Sequence, residues 1–322
     1  AKSSIPTYTP VSRDVFDGLA ADSSDVDLSN SISTLSAFWN SFDSSIPVTY
    51  YYAVGTSGLN NISEWKSNGS DTTITVSGLN LQSDSTYYFS IYAVADQNII
   101  SDTARTDGVF IDNKVPVISS VSESPEGISD DIDWFGSNQK ANIFVSGSDN
   151  RIVYRYEYSI GTTAGSDDVV SWFKTDTNQV QVSLANLNEN VQFYSNARIY
   201  DLAGNVSEVA ASNGFKIDRT RPQSGSVSTG SNYQFDASSM EISWSGFSDS
   251  GSGIERFEYA LGTQPGSGNV VPRVSANLSE SVNLNDLTLE DGVTYYASVF
   301  AVDIVGNESF ASSSIIIDQS PP

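Results

Sequence analysis

The chain has 322 residues, and its 39 acidic against 15 basic side chains give a formal net charge of −24. An acidic surface repels phosphate backbones, and no apolar run reaches the roughly 20 residues that cross a bilayer, so nucleic acid and membrane insertion are excluded as partners. The sequence has no cysteine and no histidine, which excludes disulfides, a Ser-His-Asp triad and thiolate or imidazole metal sites.

A short aromatic segment occurs three times in the chain. Its copies read YYYAVGT, YEYSIGT and FEYALGT, and they occupy Tyr50–Thr56, Tyr156–Thr162 and Phe257–Thr263. They recur about every 100 residues, which indicates whole domains in tandem, since solenoid repeats recur at roughly 20–50 residues. The chain is therefore predicted to contain three domains of one fold.

Each predicted domain contains the same series of short strands. In the first domain they are expected at Leu35–Trp39, Tyr50–Val54, Ile74–Val76, Tyr87–Val94 and Val109–Ile111. The matching strands follow at Ala141–Val145, Tyr154–Ile160, Val180–Val182, Phe193–Tyr200 and Phe215–Ile217, and then at Met240–Trp244, Phe257–Leu261, Tyr295–Val302 and Ile315–Ile317. Short strands separated by turn signals, without a capped helical period, predict an all-β fold of three tandem β-sandwiches in an elongated array.

Short joints that end in proline separate these domains. Asp112–Pro116, Asp218–Pro222 and Asp318–Pro322 share the form Asp-x-x-x-Pro. Proline fixes φ, so each joint is expected to limit the freedom between neighbouring domains. The predicted organisation is a linker at 1–9 and sandwiches at 10–114, 115–220 and 221–322, and the third joint predicts adjacent domains of a longer chain.

One strand pattern resembles the second strand of fibronectin type III domains. Leu35–Trp39 alternates apolar residues and ends in Trp39, which matches the inward tryptophan of that family. Met240–Trp244 has the same pattern. The second domain departs from it, because Val145 takes the place of the tryptophan.

A second pattern resembles the same family. Leu81 and Leu289 precede Tyr87 and Tyr295 with the Leu-x5-Tyr spacing of the turn into the sixth strand. In the family this tyrosine hydroxyl bonds back to the backbone and forms a tyrosine corner. The second domain again departs, because Phe193 has no hydroxyl.

The turns and joints resemble the fibronectin-like and Ig-like repeats of large bacterial, Bacteroidetes-type, cell-surface or secreted proteins. Asp201–Ser207 and Asp303–Ser309 contain the Asp-x-x-Gly-Asn motif of those repeats. The resemblance implies Ig-like or fibronectin type III-like sandwiches, an extracellular or cell-surface location, and a role connected with adhesion. A sandwich hosts many unrelated tasks, so the resemblance is more specific for fold than for function.

Three functions remain open from the sequence. The first is a non-catalytic spacer or stalk segment of an adhesin-like multidomain protein. The second is binding of glycans or other cell-surface components by the domains themselves, and the third is an accessory role beside a polysaccharide-active enzyme. Catalysis is not expected, because a string of small sandwiches offers no cleft between paired carboxylates.

Repeated carboxylates are the candidates for a bound cofactor, which would be calcium. Asp201 and Asp303 open the turn between the last two strands, and Asp218 and Asp318 follow the last strands. If that turn points at the following domain, these pairs converge near a joint. Loops supply the oxygen ligands that calcium needs, and the resemblance implies joint calcium, since some bacterial Ig-like arrays carry it. Alternatively, each Asp only forms a turn with its own backbone while Gly-Asn takes positive φ; the first domain has Ala95 at this position.

A second acidic pair opens the first two domains. Asp25 and Asp27 match Asp131 and Asp133, and alternate residues of an extended segment point the same way. Each pair therefore has the geometry to share a calcium ion. The alternative is an acidic edge strand that deters pairing between sheets.

Three tryptophans are candidates for glycan contact. Trp65 and Trp172 take matching places after the Gly-Thr turn, and Trp134 lies beside the second acidic pair. An exposed indole stacks on a sugar ring. The alternative is packing against the edge of the sheet, which the repeated position favours, and the third domain has Pro272 and Arg273 in this place.

Overall fold

Alternating apolar and polar residues form the strands of this computed structural model, as in Thr34–Trp39, where every second side chain is buried. The structure describes residues 9–20, 24–57, 61–136 and 140–320. Within these ranges the secondary structure is β-strand apart from a 3-10 turn at Asp96–Asn98, and no helix there is long and apolar enough to cross a membrane. The chain is all-β, as predicted. Most of the predicted linker at 1–9, and the prolines that end the third joint, lie outside the described residues.

Domain 1 is a sandwich of two sheets. Its strands are β1 (Val15–Asp17), β2 (Leu28–Ser29), β3 (Thr34–Trp39), β4 (Val48–Gly55), β5 (Lys66–Gly69), β6 (Thr73–Ser77), β7 (Ser85–Ala95), β8 (Ile99–Ile100), β9 (Ala104–Arg105) and β10 (Val109–Ile111). One sheet has the order β1-β3-β6 and the other β2-β10-β7-β4-β5, with β8 and β9 also paired to β7. The β2–β10 pair is parallel and the other pairs are antiparallel.

Domain 2 repeats this arrangement. Its strands are β11 (Val117–Pro125), β12 (Trp134–Phe135), β13 (Lys140–Ser148), β14 (Val153–Gly161), β15 (Val170–Thr175), β16 (Gln179–Ser183), β17 (Tyr194–Asp201), β18 (Ala210–Ala211) and β19 (Lys216–Ile217). The sheets have the orders β11-β13-β16 and β15-β14-β17-β18, and β12 pairs with β19 in parallel.

Domain 3 has the most continuous last strand. Its strands are β20 (Ser226–Ser228), β21 (Tyr233–Gln234), β22 (Met240–Ser245), β23 (Ile254–Gly262), β24 (Val271–Asn277), β25 (Ser281–Leu284), β26 (Thr294–Asp303) and β27 (Glu308–Ile317). The sheets have the orders β20-β22-β25 and β21-β27-β26-β23-β24.

Each domain has its own hydrophobic core. The predicted inward tryptophans, Trp39 and Trp244, are buried and make edge contacts with Tyr50 and Phe257 at ring-centroid distances of 5.5 and 5.8 Å. Aromatic edge contacts of this kind add to the free energy gained from burying the rings. The tryptophan pattern therefore identified the centre of two of the cores.

The predicted tyrosine corners are confirmed in domains 1 and 3. The Tyr87 hydroxyl accepts a hydrogen bond from the Gln82 backbone N–H at 2.8 Å, and the Tyr295 hydroxyl accepts one from Glu290 at 2.9 Å. Both tyrosine side chains are buried. The bond fixes the turn that leads into β7 and β26.

Domain 2 fills its core with phenylalanines instead. Phe135 contacts Phe215 edge-on at 5.3 Å, and Phe193 contacts Phe215 at 5.7 Å. All three rings are buried, as is the smaller Val145. The ring of Phe193, which has no hydroxyl for a corner, thus belongs to an aromatic cluster of the core.

Candidate cation sites at the domain joints

Three aspartates meet where domain 1 joins domain 2. Asp112 follows β10 of domain 1, Asp149 lies in the turn between β13 and β14, and Asp201 is the last residue of β17. One carboxylate oxygen of each lies within 4.8 Å of the others. Asp112 and Asp201 are buried and Asp149 is half-buried, so the group brings negative charge out of water.

Amide donors satisfy part of this first group. The Asn205 side chain donates to Asp201 Oδ2 at 2.6 Å and, across the joint, to the Asp112 carbonyl at 2.8 Å. Asn150 Nδ2 donates to both Asp112 carboxylate oxygens at 3.3 and 3.2 Å. Asp149 Oδ2 accepts two backbone N–H groups, but its buried Oδ1 has no hydrogen-bond partner. One oxygen of the group is therefore left for another donor or an ion.

The second joint is built in the same way. Asp218 follows β19 of domain 2, Asp249 lies in the turn between β22 and β23, and Asp303 ends β26. Their carboxylate oxygens also lie within 4.8 Å of one another. The Ser252 N–H of domain 3 donates to Asp218 Oδ2 at 2.7 Å, so a hydrogen bond crosses this joint too.

The pKa of Asp303 at the second joint is raised. Burial raises the pKa of the Asp303 carboxyl above its ordinary value, the hydrogen bonds from Asn307 oppose this, and the charges of Asp218 and Asp249 add to the rise. Three like charges this close together repel one another, and a bound cation would offset that repulsion.

The turn that opens with Asp201 or Asp303 points at the preceding domain, not the following one. The expected pairs, Asp201 with Asp218 and Asp303 with Asp318, are therefore not formed; Asp201 lies with Asp112, and Asp303 lies with Asp218. Asp318 is exposed, accepts the Ser320 N–H at 3.1 Å, and belongs to no acidic cluster of the described residues.

Sequence reasoning missed Asp149 and Asp249. Both follow a serine, as Ser148-Asp149 and Ser248-Asp249, in the turn before the YEYSIGT or FEYALGT strand. That matched Ser-Asp pair is the signal that would have found them. The expectation that Gly-Asn takes positive φ is correct for the glycines alone, since Gly204 and Gly306 have φ of 92° and 90°. The side chains of Asn205 and Asn307 instead donate hydrogen bonds to Asp201 and Asp303.

No protein-family model matches the chain, and no curated protein sequence matches it either. A structure from a 1.5-MDa bacterial ice-binding adhesin has a TM-score of 0.43 and 15% identity, covering 96% of this chain and 99% of that chain. The FN1–FN3 domains of chicken CNTN1 have a TM-score of 0.36 and 15% identity, with coverages of 96% and 98%. The fibronectin(III)-like modules of Clostridium thermocellum CbhA have a TM-score of 0.38 and 14% identity, with coverages of 63% and 94%. At these identities the similarity concerns the fold alone.

The order of the strands agrees with the architecture that the sequence patterns predicted. In domain 1, β1, β3 and β6 form one sheet and β4, β5, β7 and β10 belong to the other. In domain 3, β20, β22 and β25 form one sheet and β23, β24, β26 and β27 belong to the other. With the short strands β2, β8, β9 and β21 left aside, both domains therefore have the first, second and fifth of seven strands in one sheet. The tyrosine corners lie at the turn into the sixth strand. The chain is a tandem array of fibronectin type III-like β-sandwiches.

Apolar and aromatic contacts accompany the acidic groups between these fibronectin type III-like domains. The Arg151 guanidinium of domain 2 lies 4.1 Å from the ring centroid of Phe110 in domain 1. At the second joint, a Cβ added to Gly136 would lie 3.3 Å from the Val305 carbonyl oxygen, so the domains approach closely there. A cleft of about 450 Å³ extends from this contact between Ile132 and Ile304.

Asp131 and Asp133, the acidic pair at the start of domain 2, do not form a common ion site. Asp131 Oδ1 accepts the Glu123 N–H at 2.8 Å, and Asp133 Oδ1 accepts from Asn213 Nδ2 at 3.0 Å. Neither belongs to an acidic cluster in the part of the chain that the structure describes. In domain 1, Asp25 groups with Asp17 and Asp107 and not with Asp27.

The candidate tryptophans contact neighbouring side chains. Trp65 packs its edge on Tyr92 at 4.7 Å, and Trp172 lies under the Arg198 guanidinium at 4.7 Å. Trp134 lines the cleft at the second joint, with the Lys216 ammonium 5.4 Å from its ring centroid. All three remain half-buried, and none is a core residue.

Proposed function

We propose that this chain is a non-catalytic spacer segment of a bacterial cell-surface or secreted, adhesin-like multidomain protein, whose joints calcium stiffens. The observation that carries the proposal is that two successive joints are built from the same parts. Each contains an Asp from the end of one domain, two Asp from turns of the next, and an Asn or Ser donor across the joint. Repetition of one joint gives repeated domains a defined relative orientation, which is what a spacer needs.

The donor set at each joint suits calcium. All of the candidate side-chain ligands are carboxylate oxygens, so a hard cation fits better than zinc or copper. The unpartnered Asp149 Oδ1 supports a cation at the first joint. Burial raises the pKa of Asp303 at the second joint and the charges of Asp218 and Asp249 add to the rise, so a cation would offset those charges.

Small-angle X-ray scattering of the full chain, in calcium and then in chelator, tests this proposal. Calcium should reduce the range of domain orientations that the scattering of the wild type reports, and the domains should remain in an extended array. Combined Asp149→Asn and Asp249→Asn substitutions should remove the calcium response. Asp318→Asn is the matched control, because Asp318 has the same place after a last strand but no acidic cluster. A calcium response that survives the double substitution would reject joint calcium, and domains that tumble independently in calcium would reject the spacer.

Glycan binding is a second candidate, favoured by an aromatic strip on domain 1. Tyr51 stacks on Tyr92 with ring centroids 5.1 Å apart and an interplanar angle of 5°, and Trp65 packs beside them. All three are half-buried on the face of the larger sheet. Flat aromatic surface of this kind is suited to stacking on sugar rings.

The aromatic strip is particular to domain 1. At the positions of Tyr51 and Tyr92, domain 2 has Glu157 and Arg198 as an ion pair, and domain 3 has Glu258 with Phe300. A glycan-array screen of the full chain tests this candidate. Glycan binding would be supported if Tyr51→Ala removes it and substitution of the exposed Tyr154 of domain 2 leaves it intact. A screen in which no glycan binds would reject this candidate.

A further inference from the structure

A third group of carboxylates belongs to domain 1 alone. Asp17 is the last residue of β1, Asp25 follows the turn after it, and Asp107 lies between β9 and β10. One carboxylate oxygen of each lies within 4.8 Å of the others. Asp17 is 0% exposed, whereas Asp25 and Asp107 are exposed. The group is thus buried on one side and open to solvent on the other.

The buried carboxylate of this group lacks part of its hydrogen bonding. Asp17 Oδ2 accepts the Gly108 N–H at 3.0 Å, but Asp17 Oδ1 has no hydrogen-bond partner. Asp25 uses one oxygen to accept the Asp17 N–H at 2.8 Å. A buried ionised oxygen without a donor is costly, so the site is incomplete as three carboxylates alone.

Two arginines line the same cleft as Asp25 and Asp107, and both have other partners. Arg13 pairs with Asp43, and the Arg105 guanidinium lies 3.8 Å from the ring centroid of Tyr88 while donating to backbone carbonyls. Among the described residues, no lysine or arginine forms an ion pair with this acidic group. The group is therefore not neutralised by an ion pair among the described residues.

Burial raises the pKa of Asp17 to about 7, because the carboxylate is removed from water. The Thr106 hydroxyl and the Gly108 amide oppose this rise, and the charges of Asp25 and Asp107 add to it.

A one-residue bulge in the last strand brings Asp107 to the buried carboxylate. Arg105–Val109 lies opposite Tyr87–Ser90, so the edge strand has one more residue than its partner. In domain 3, Ser312–Ile315 lies opposite Tyr295–Ser298, residue for residue, without the bulge. Bulges of this kind re-aim side chains and are frequent beside functional sites.

The bulge does not itself require three carboxylates. Domain 2 has the same bulge, with Glu123 at the buried position and Asn213 in place of Asp107. There Glu123 Oε1 accepts from the Ser195 N–H and the Ser212 hydroxyl. Domain 3, which lacks the bulge, has Thr229 at the buried position. The complete acidic set is particular to domain 1.

We infer that domain 1 binds a calcium ion at Asp17, Asp25 and Asp107, within one domain and separate from the joints. Calcium lies about 2.3–2.6 Å from its oxygens, so its ligands can be up to about 5 Å apart. Carboxylate oxygens that lie within 4.8 Å of one another can therefore share one calcium ion. The ion would supply the partner that Asp17 Oδ1 lacks, and the open side leaves room for water ligands.

Isothermal titration of the full chain with calcium chloride tests this site. The titration is done on a chain that carries Asp149→Asn and Asp249→Asn, so that joint binding does not contribute. A single calcium should still bind. Adding Asp107→Asn, which copies the side chain of domain 2, should abolish that binding. Adding Asp102→Asn, the same change at an exposed position between β8 and β9, should leave it intact.

Two outcomes would overturn the inference. One is the absence of calcium binding in the joint-substituted chain, and the other is binding that Asp107→Asn leaves unchanged. Asp107→Asn is expected to fold, because Asp107 is exposed and its substitution removes repulsion between carboxylates. Thermal unfolding in chelator should therefore give Asp107→Asn a domain 1 transition at or above that of the parent chain.

Discussion

The Asn205 side chain links domains 1 and 2 in a way that calorimetry can measure. Its Nδ2 donates to the Asp112 carbonyl at 2.8 Å and to Asp201 Oδ2 at 2.6 Å, and the residue is 9% exposed. A hydrogen bond to a charged acceptor contributes about 1.5–3 kcal/mol, and one to a neutral acceptor about 0.5–1.5 kcal/mol. Asn205→Ala is therefore expected to lower the free energy of unfolding of domain 2 by about 2–4 kcal/mol.

Differential scanning calorimetry of the full chain in chelator measures this loss. In a domain of about 100 residues, each kcal/mol shifts Tm by roughly 4–8 °C, so the domain 2 transition should fall by at least about 8 °C. Asn307→Ala is the matched control at the second joint. Asn307 Nδ2 donates to Asp303 Oδ2 at 2.8 Å, but its bond to the Thr220 carbonyl is longer, at 3.3 Å, and exposed.

The difference between the two variants isolates the bond across the joint. Asn307→Ala should destabilise domain 3 by about 1 kcal/mol less than Asn205→Ala destabilises domain 2, because it loses little besides the bond within the turn. The reasoning is refuted if Asn205→Ala changes stability by less than about 0.5 kcal/mol, as an ordinary surface substitution does. Equal losses in the two variants would also refute it.

Three further predictions concern single domains. Tyr87→Phe leaves the Gln82 N–H without its acceptor and should destabilise domain 1 by about 1–3 kcal/mol, whereas Tyr88→Phe, which removes a hydroxyl without a hydrogen bond among the described residues, should be near neutral in denaturant unfolding. Burial raises the pKa of Glu123 above its ordinary value of 4.5. The contribution of this carboxyl to the stability of domain 2 is therefore fully present below pH 4.5 and is lost as the pH rises through the raised pKa. Glu123→Gln should abolish this fall in Tm and raise Tm at neutral pH. An unchanged pH profile in Glu123→Gln would contradict the assignment. Asn213→Asp should give domain 2 the third carboxylate of domain 1 and add a calcium to the titration; no added binding would mean that the bulge and charge are insufficient.

The sequence predicted those parts of the fold that depend on local pattern. The Leu-x5-Tyr spacing identified the corner at Tyr87 because one hydroxyl and one nearby N–H form it. The alternation in Thr34–Trp39 identified a strand with one buried face because side chains of a strand alternate between faces. Such features require only neighbours in sequence, so composition and spacing are sufficient.

The joints could not be predicted in this way. Asp201 and Asp112 are distant in sequence, and nothing local says which end of a sandwich faces its neighbour; the expected partner was Asp218, on the wrong side. Asp17 was missed for another reason. Aspartate is almost never fully buried unless it is paired, so a segment rich in Asp predicts a solvated surface. Here β1 ends inside the sandwich, and the bulge after β9 supplies the donors that face it.

The acidity of the chain has two parts with different consequences. Solvated carboxylates keep a protein soluble and need no partner, and most of the acidic residues of the described chain are of that kind. Among the described residues, the buried aspartates are Asp17, Asp112, Asp201, Asp218 and Asp303, each at most 3% exposed, and every one belongs to a cluster of three carboxylates. Selection for solubility alone has no reason to bury these charges or to bring them together. Two of the clusters contain a buried oxygen without a hydrogen-bond partner, Asp17 Oδ1 and Asp149 Oδ1, and a divalent cation would supply that partner. We therefore favour ligand sets over surface charge as the explanation of the clusters. Under the proposed calcium binding, removal of calcium should weaken domain 1 and both joints together, although the three sites share no residue.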